Sequence, residues 1–149
     1  MQKSKLDILL LVEDEPDHAH LIMDVLTEHG HLANQIIWVK DGREAVDYVL
    51  RKGKNKGRNS SRPGLILLDI KMPELDGFDV LKILKADDDV KTIPIVMLTT
   101  TRNSEDVEKA LALGANDYIS KPVEWEAFVK TVGELGKYWA FISDANLAK

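Results

Sequence analysis

Four apolar runs in this 149-residue chain each end in side chains capable of chemistry. Leu6–Val12 runs into Glu13-Asp14-Glu15, and Leu65–Leu68 runs into Asp69. Ile93–Thr99 closes on Thr99-Thr100-Thr101, and Tyr118–Ile119 leads to Ser120-Lys121-Pro122. If the runs are neighbouring strands, one edge collects at least three carboxylates, a hydroxyl and an ammonium. Carboxylates packed together raise one another's pKa unless a cation intervenes. A hard divalent ion answers that need: Mg²⁺ takes one or two carboxylates, waters and oxygens of a phosphorylated group. Ca²⁺ fits less well, because no dense ligand loop of the EF-hand kind is present. Lys121 offers a movable point charge and Thr99 a hydroxyl donor for phosphoryl oxygens. A carboxylate nucleophile with a metal, a lysine and a hydroxyl is a set for phosphoryl transfer. Asp69, alone at its strand end, is the candidate nucleophile. Singly, each residue has a plainer reading. Acids before a helix favour the positive end of its dipole, Glu15 above all, a strand-end Asp can cap a turn, and a lysine can be surface. The joint arrangement carries the argument.

The elements that must position these groups alternate. Leu6–Val12, Gln35–Val39, Leu65–Leu68, Ile93–Thr99 and Tyr118–Ile119 read as strands, most of them rich in Ile, Val and Leu without polar alternation, as strands covered on both faces are. Between and after them run stripes of helical period: Ala19, Ile22, Met23 and Leu26; Val46, Val49 and Leu50; Phe78, Leu81 and Leu84; Val107, Ala110 and Leu111; and Phe128, Val129, Val132 and Leu135. Pro16 suits a first helical turn, and Gly30 and Gly114 suit helix stops. The order βαβαβαβαβα calls for a parallel, doubly wound sheet with helices on both faces. Such sheets work at the carboxyl ends of their strands, near the switch in strand order. Lys52–Gly64 carries Lys52, Lys54, Lys56, Arg58 and Arg62 without an acid and reads as an exposed loop. The four histidines show no metal-ligand pattern; His18 and His20, two apart, point to different helix faces and read as solvated surface.

Composition sets the outer bounds. Forty-four per cent hydrophobic and 30% charged residues suit a globular domain rather than a disordered chain. The length predicts one domain, 1–149, with a core over about 6–141 and a short extension over 142–149. No apolar run approaches the ~18 residues of a membrane span, and no signal peptide opens the chain, so a cytoplasmic protein without membrane contact is expected. Zero cysteines exclude thiolate chemistry and a disulfide framework. A net charge of −5 argues against nucleic-acid binding by the whole surface.

The stretches ILLVEDE, LILLDIKMPELDGFDVLK, IPIVMLTT and GANDYISKPV, in this order and spacing, resemble the receiver domains of two-component response regulators over roughly Asp7 to Phe141. The resemblance implies a flavodoxin-like (βα)5 fold and a phosphorylatable aspartate rather than an enzyme. Carried over by position, Asp69 accepts a phosphoryl group from a phosphohistidine of a sensor histidine kinase. Asp14, Asp69 and the main-chain carbonyl of Lys71 correspond to Mg²⁺ ligands, with Glu13 acting through water. Thr99 would bond the phosphoryl oxygens and Lys121 would pair with them, while Thr99 and Tyr118 would move together as the switch. Met72-Pro73 and Gly77 shape the loop over the site, and the Lys121–Pro122 bond matches one usually cis in the family. With no DNA-binding domain following, output is expected through partner contact, dimerisation or phosphate relay. The basic insertion and the VEWEAFVKTVGELGKYWAF ending resemble single-domain regulators paired with bacterial, especially cyanobacterial, phytochromes. Trp125, Trp139, Phe141 and Ile142 add apolar surface near the chain end, so homodimerisation through the C-terminal half is expected. Three other readings make different demands on these residues. A haloacid-dehalogenase-like phosphatase needs a second acid two residues after its nucleophile, where Lys71 stands. A flavin carrier would not place Glu13-Asp14-Glu15 against a phosphate. The remaining alternative is a non-phosphorylated pseudo-receiver acting as a binding module.

Overall fold

The computed structural model describes residues 6–28, 33–52, 62–100 and 104–134. Five strands alternate with five helices: β1 (Leu6–Val12), α1 (Pro16–Glu28), β2 (Ala33–Val39), α2 (Gly42–Leu50), β3 (Leu65–Asp69), α3 (Gly77–Lys85), β4 (Ile95–Thr99), α4 (Ser104–Ala112), β5 (Asp117–Ser120) and α5 (Trp125–Glu134). All strand pairs are parallel, in the order β2-β1-β3-β4-β5. The order reverses between β1 and β3, so a crevice opens there at the carboxyl ends. This is the doubly wound arrangement expected from the alternation, and the flavodoxin-like one that the resemblance implies.

Strand parity divides the core in two. Leu9 and Leu11, Leu65 and Leu67, Val96 and Leu98, and Ile119 pack against Ala19, Ile22 and Leu26 of α1 and against Trp125 and Phe128 of α5. Leu10 and Val12, Ile66 and Leu68, and Ile95 and Met97 pack against α2, α3 and Ala110 of α4. Because successive side chains alternate faces, continuing the first set beyond the strand ends brings Glu13, Asp69 and Lys121 to the same side of the sheet. Every residue of β3 and β4 is buried, as befits strands covered on both faces.

Helix ends follow local chemistry. Pro16 opens α1 as expected. Asp41 caps α2 by accepting from the Glu44 N–H, and Asp76 and Asp79 form a reciprocal capping box on α3. Gly114 follows α4 at φ +111°, where a side chain is strained, while the Ala115 N–H returns to the Ala110 carbonyl. Gly30 lies outside the described residues.

Three expectations shift. β4 begins at Ile95 rather than Ile93, because the Ile93 N–H closes a turn on the Val90 carbonyl and Pro94 has no N–H to offer a ladder. The α4 stripe is thin: Ala110 is buried, Val107 only half so, and Leu111 is 43% exposed. Trp125 is not apolar surface near the chain end. It is buried in the core and stacked on Phe128, with ring centroids 5.8 Å apart. Trp139, Phe141, Ile142 and Leu135, with the middle of the basic loop, lie outside the described residues. Among the described residues no helix is long and apolar enough to cross a membrane.

Candidate functional site

The site is assembled from strand ends. In register, Val12 of β1 stands beside Leu68 of β3, Asp69 beside Leu98 of β4, and Thr99 beside Ser120 of β5. Glu13, Asp69 and Thr99 therefore sit on adjacent rungs, and Lys121 follows where its N–H donates to the Thr99 carbonyl at 2.8 Å. Among the described residues, the buried polar or charged residues are these same three, Glu13, Asp69 and Thr99. Buried polar side chains are costly unless partnered, so their joint position at one edge is informative.

Glu13, Asp14 and Asp69 each place a carboxylate oxygen within 4.8 Å of the others. The Lys121 ammonium, only 7% exposed, pairs with Glu13 Oε1 and lies 3.5 Å from Asp69 Oδ1. Asp69 is the perturbed acid of the group. Burial pushes it up, Lys121 pulls it down, and the negative charges of Glu13 and Asp14 push it up again, to about 7. A cation other than Lys121 at this edge would oppose the last two effects and restore the carboxylate form.

The loop between β3 and α3 forms the rim. The Gly77 N–H returns to the Ile70 carbonyl at 2.8 Å, which folds the loop back onto the strand end. A Cβ at Gly77 would stand 2.4 Å from the Asp69 carbonyl oxygen, so only glycine lets the helix start pass so close to the acidic edge. Glu74 takes the left-handed region at φ +64° within this loop. Between the loop and α4 lies an open cleft of about 460 Å³, bordered by Asp14, Lys71, Met72, Pro73, Phe78 and Asp106. The Lys109 ammonium covers the Phe78 ring at 4.3 Å and ties α4 to α3 there. The Lys71 side chain is exposed. The Lys121–Pro122 bond is cis. Tyr118, 41% exposed, faces outward from the edge strand beside a groove that reaches Lys130 of α5.

Thus Glu13, Asp14, Asp69, Thr99 and Lys121 come together, Lys71 stands at the rim, and Tyr118 lies off to one side. Two participants escape a reading of the sequence. His18 is no solvated bystander: its Nδ1 lies 3.1 Å from Lys121 Nζ and 3.8 Å from Glu13 Oε2, although the side chain stays 41% exposed. Its place one turn before the buried Ile22 was the available signal. Trp38 of β2 donates its indole N–H to the Glu13 carbonyl at 2.8 Å, and nothing in its apolar run announces that contact.

The three carboxylates suit a divalent ion bound by oxygen, since ligands at roughly 2.1 Å in an octahedron lie about 3–4 Å apart. The family described as response regulator receiver domain matches residues 9–133. A probable methanogenesis regulatory protein, FilR2 of Methanothrix harundinacea, is 39% identical over 132 residues, covering 89% of this chain and 83% of that protein. Response regulator Rcp1 of Synechocystis sp. is 35% identical over 89% of this chain and 88% of its own length. The structure of its Mn²⁺-bound form superposes with a TM-score of 0.72 at 34% identity, covering 90% of this chain and 94% of that one. The bacteriophytochrome response regulator AtBRR superposes with a TM-score of 0.80 at 38% identity, over 89% of this chain and 94% of that one. With the receiver match running over residues 9–133, from within β1 into α5, the chain belongs to the response regulator receiver domain family.

Proposed function

We propose that the protein is a phosphorylation switch in which Asp69 accepts a phosphoryl group from a phosphohistidine of a sensor histidine kinase. The observation that carries this is the environment of Asp69: a nearly buried carboxylate at a strand end, flanked by Glu13 and Asp14 and faced by the Lys121 ammonium. Asp14, Asp69 and the main-chain carbonyl of Lys71 are assigned as direct Mg²⁺ ligands, with Glu13 acting through water. When bound, Mg²⁺ supplies charge neutralisation for the phosphoryl oxygens.

An Asp69 carboxylate oxygen attacks phosphorus. The new O–P bond forms as the P–N bond to imidazole breaks, and the electron pair stays on the ring nitrogen. Lys121 draws the phosphoryl oxygens by charge and Thr99 donates its hydroxyl to one of them. Attack by water on phosphorus later returns Asp69 to the carboxylate. The aspartyl phosphate carries about −1.5 to −2 charges in place of the carboxylate's single one, and its oxygens lie where Thr99 can follow them. Thr99 moves toward the new oxygens, the space behind it opens, and Tyr118 turns from its exposed position inward. The face formed by α4, β5 and α5 then presents a different surface to a partner.

The likeness to AtBRR, a bacteriophytochrome response regulator, supports a sensor kinase of the bacterial phytochrome type as the donor to a cytoplasmic regulator. Intact-mass spectrometry after incubation with acetyl phosphate and Mg²⁺ tests the chemistry. We expect one phosphoryl adduct that requires Mg²⁺ and is absent from Asp69→Asn. A wild-type protein that takes no adduct, even from a phosphorylated kinase, would be a binding module of the pseudo-receiver kind.

A further inference from the structure

The Trp38 indole reaches the acidic edge through the Glu13 main-chain carbonyl. Glu13 continues β1 by one rung: its N–H donates to the Val39 carbonyl at 3.1 Å. In a parallel ladder its own carbonyl would next accept a backbone N–H from β2. The chain has already turned away there. The Lys40 N–H donates to Glu44 Oε1 at 3.1 Å, and Asp41, whose N–H would come next in the ladder, makes no bond to the Glu13 carbonyl and instead caps α2 with its side chain, accepting from the Glu44 N–H. The missing donor comes from a side chain instead, the Trp38 indole N–H at 2.8 Å. The indole is itself wedged in place. The His20 ring of α1 meets it edge-on at 5.4 Å between centroids, and the Lys40 ammonium covers it at 5.5 Å.

We infer that Trp38 is a positioning residue for the metal edge, acting through the Glu13 backbone; this rests on the reading of that edge as a divalent-cation site. Glu13 and Asp14 are consecutive, so a rotation of the Glu13–Asp14 peptide would re-aim both carboxylates. It would also move the oxygen that faces Lys121. The indole bond fixes that peptide from the carbonyl side while the ladder fixes it from the N–H side. Partners of this kind, one bond removed from a metal ligand, commonly govern affinity for the ion.

Calorimetric titration with Mg²⁺ tests the inference on the purified protein. Trp38→Phe keeps most of the ring and deletes the N–H. It should raise the Mg²⁺ dissociation constant about tenfold. Phosphorylation by acetyl phosphate should slow at low Mg²⁺ and recover to within about twofold of wild type at saturation, because the loss is in binding. Trp38→Gln carries an amide N–H at comparable reach and should bind Mg²⁺ more tightly than Trp38→Phe. His20→Ala loosens the wedge but keeps the N–H, so it should weaken Mg²⁺ binding less than Trp38→Phe does. Equal affinity in wild type and Trp38→Phe, or an equal loss in His20→Ala, would overturn the inference. Absence of Mg²⁺ binding in the wild type would overturn it together with the metal site. Mg²⁺ binding without a phosphoryl adduct would remove only the phosphoacceptor reading.

Discussion

Each end of the sheet holds a lysine out of full solvent contact, and the two are satisfied in opposite ways. At the carboxyl end Lys121 pairs with Glu13 and Asp69 and touches His18. At the amino end Lys85, closing α3, donates to the Lys91 carbonyl at 3.0 Å, the Ile93 carbonyl at 3.3 Å and Asn116 Oδ1 at 3.5 Å. Lys85 has only neutral acceptors there, and burial pulls its pKa down. It ties together the α3–β4 and α4–β5 connections, because Asn116 Oδ1 also accepts the Ile95 N–H where β4 starts. One lysine balances charge and the other anchors backbone. A lysine bound to carbonyls needs nothing further, whereas a lysine among three carboxylates leaves net negative charge at the site. That excess is a stability cost in the absence of cation and a binding preference for one.

Removing Lys121 should break the contrast most sharply. Lys121→Met leaves Glu13, wholly buried, facing Asp69 without a counter-charge. Breaking a buried pair from one side costs about 3–5 kcal/mol, so urea unfolding near pH 8 should show a loss of that order. Added Mg²⁺ should restore more stability to the variant than it adds to wild type, since it supplies the missing positive charge. An equal Mg²⁺ increment in both proteins would mean that Lys121 does not balance these acids.

Asp69 gives the second test, with the opposite sign. Its folded pKa is raised from 3.8 to about 7. Between those values the native state holds a proton that the unfolded chain has released, so stability falls as pH rises through that window. Asp69→Asn should therefore stabilise the cation-free protein near neutral pH and above, by an amount on the order of a few kcal/mol. The gain should shrink toward pH ~4, where both forms of the native protein are uncharged at this position. Thermal melts across that range, run with a chelator, check it. A gain independent of pH would assign the effect to packing rather than to charge.

The contrast also explains what the sequence could and could not disclose. Glu13, Asp14, Asp69, Thr99 and Lys121 announced themselves because each follows an apolar run, and a parallel sheet brings run ends together whatever the helices do. Strand parity then placed Glu13, Asp69 and Lys121 on one face. His18 and Trp38 are harder to read: the spacing to Ile22 turns His18 toward the sheet, but its reach to Lys121 and Glu13, like that of the Trp38 indole to the Glu13 carbonyl, depends on a side-chain direction set by how the elements pack. Local spacing does not encode that direction. The same holds at the amino end, where Lys85, Lys91, Ile93 and Asn116 meet only after three connections have closed. Trp125 misled because large aromatics near a chain end suit an interface and a core equally well, and only the depth of the α5 packing decides between them. Leu111 erred the other way, its helical spacing suggesting burial on a face that α4 leaves open.

The smallest expected effect sharpens the comparison from the structural end. Lys85→Met keeps the apolar stem and deletes the ammonium, leaving the Lys91 and Ile93 carbonyls to water on the partly exposed side. Hydrogen bonds from a charged donor contribute about 1.5–3 kcal/mol each when buried, but half-exposed acceptors recover much of that from solvent, so a loss of about 1 kcal/mol is expected. The loss should be unaffected by Mg²⁺, and the phosphoryl adduct and its Mg²⁺ requirement should match wild type. The direction of the pKa shift adds a further mark. A lysine whose folded pKa is depressed leaves the unfolded state holding more protons on the alkaline side, so wild-type stability should rise with pH there through this group, and the rise should be missing from Lys85→Met. Chemical unfolding at increasing alkaline pH measures it. If Lys85→Met instead altered the Mg²⁺ dependence of phosphorylation, the two ends of the sheet would be coupled through β4, and the division between an anchoring lysine and a charge-balancing one would no longer hold.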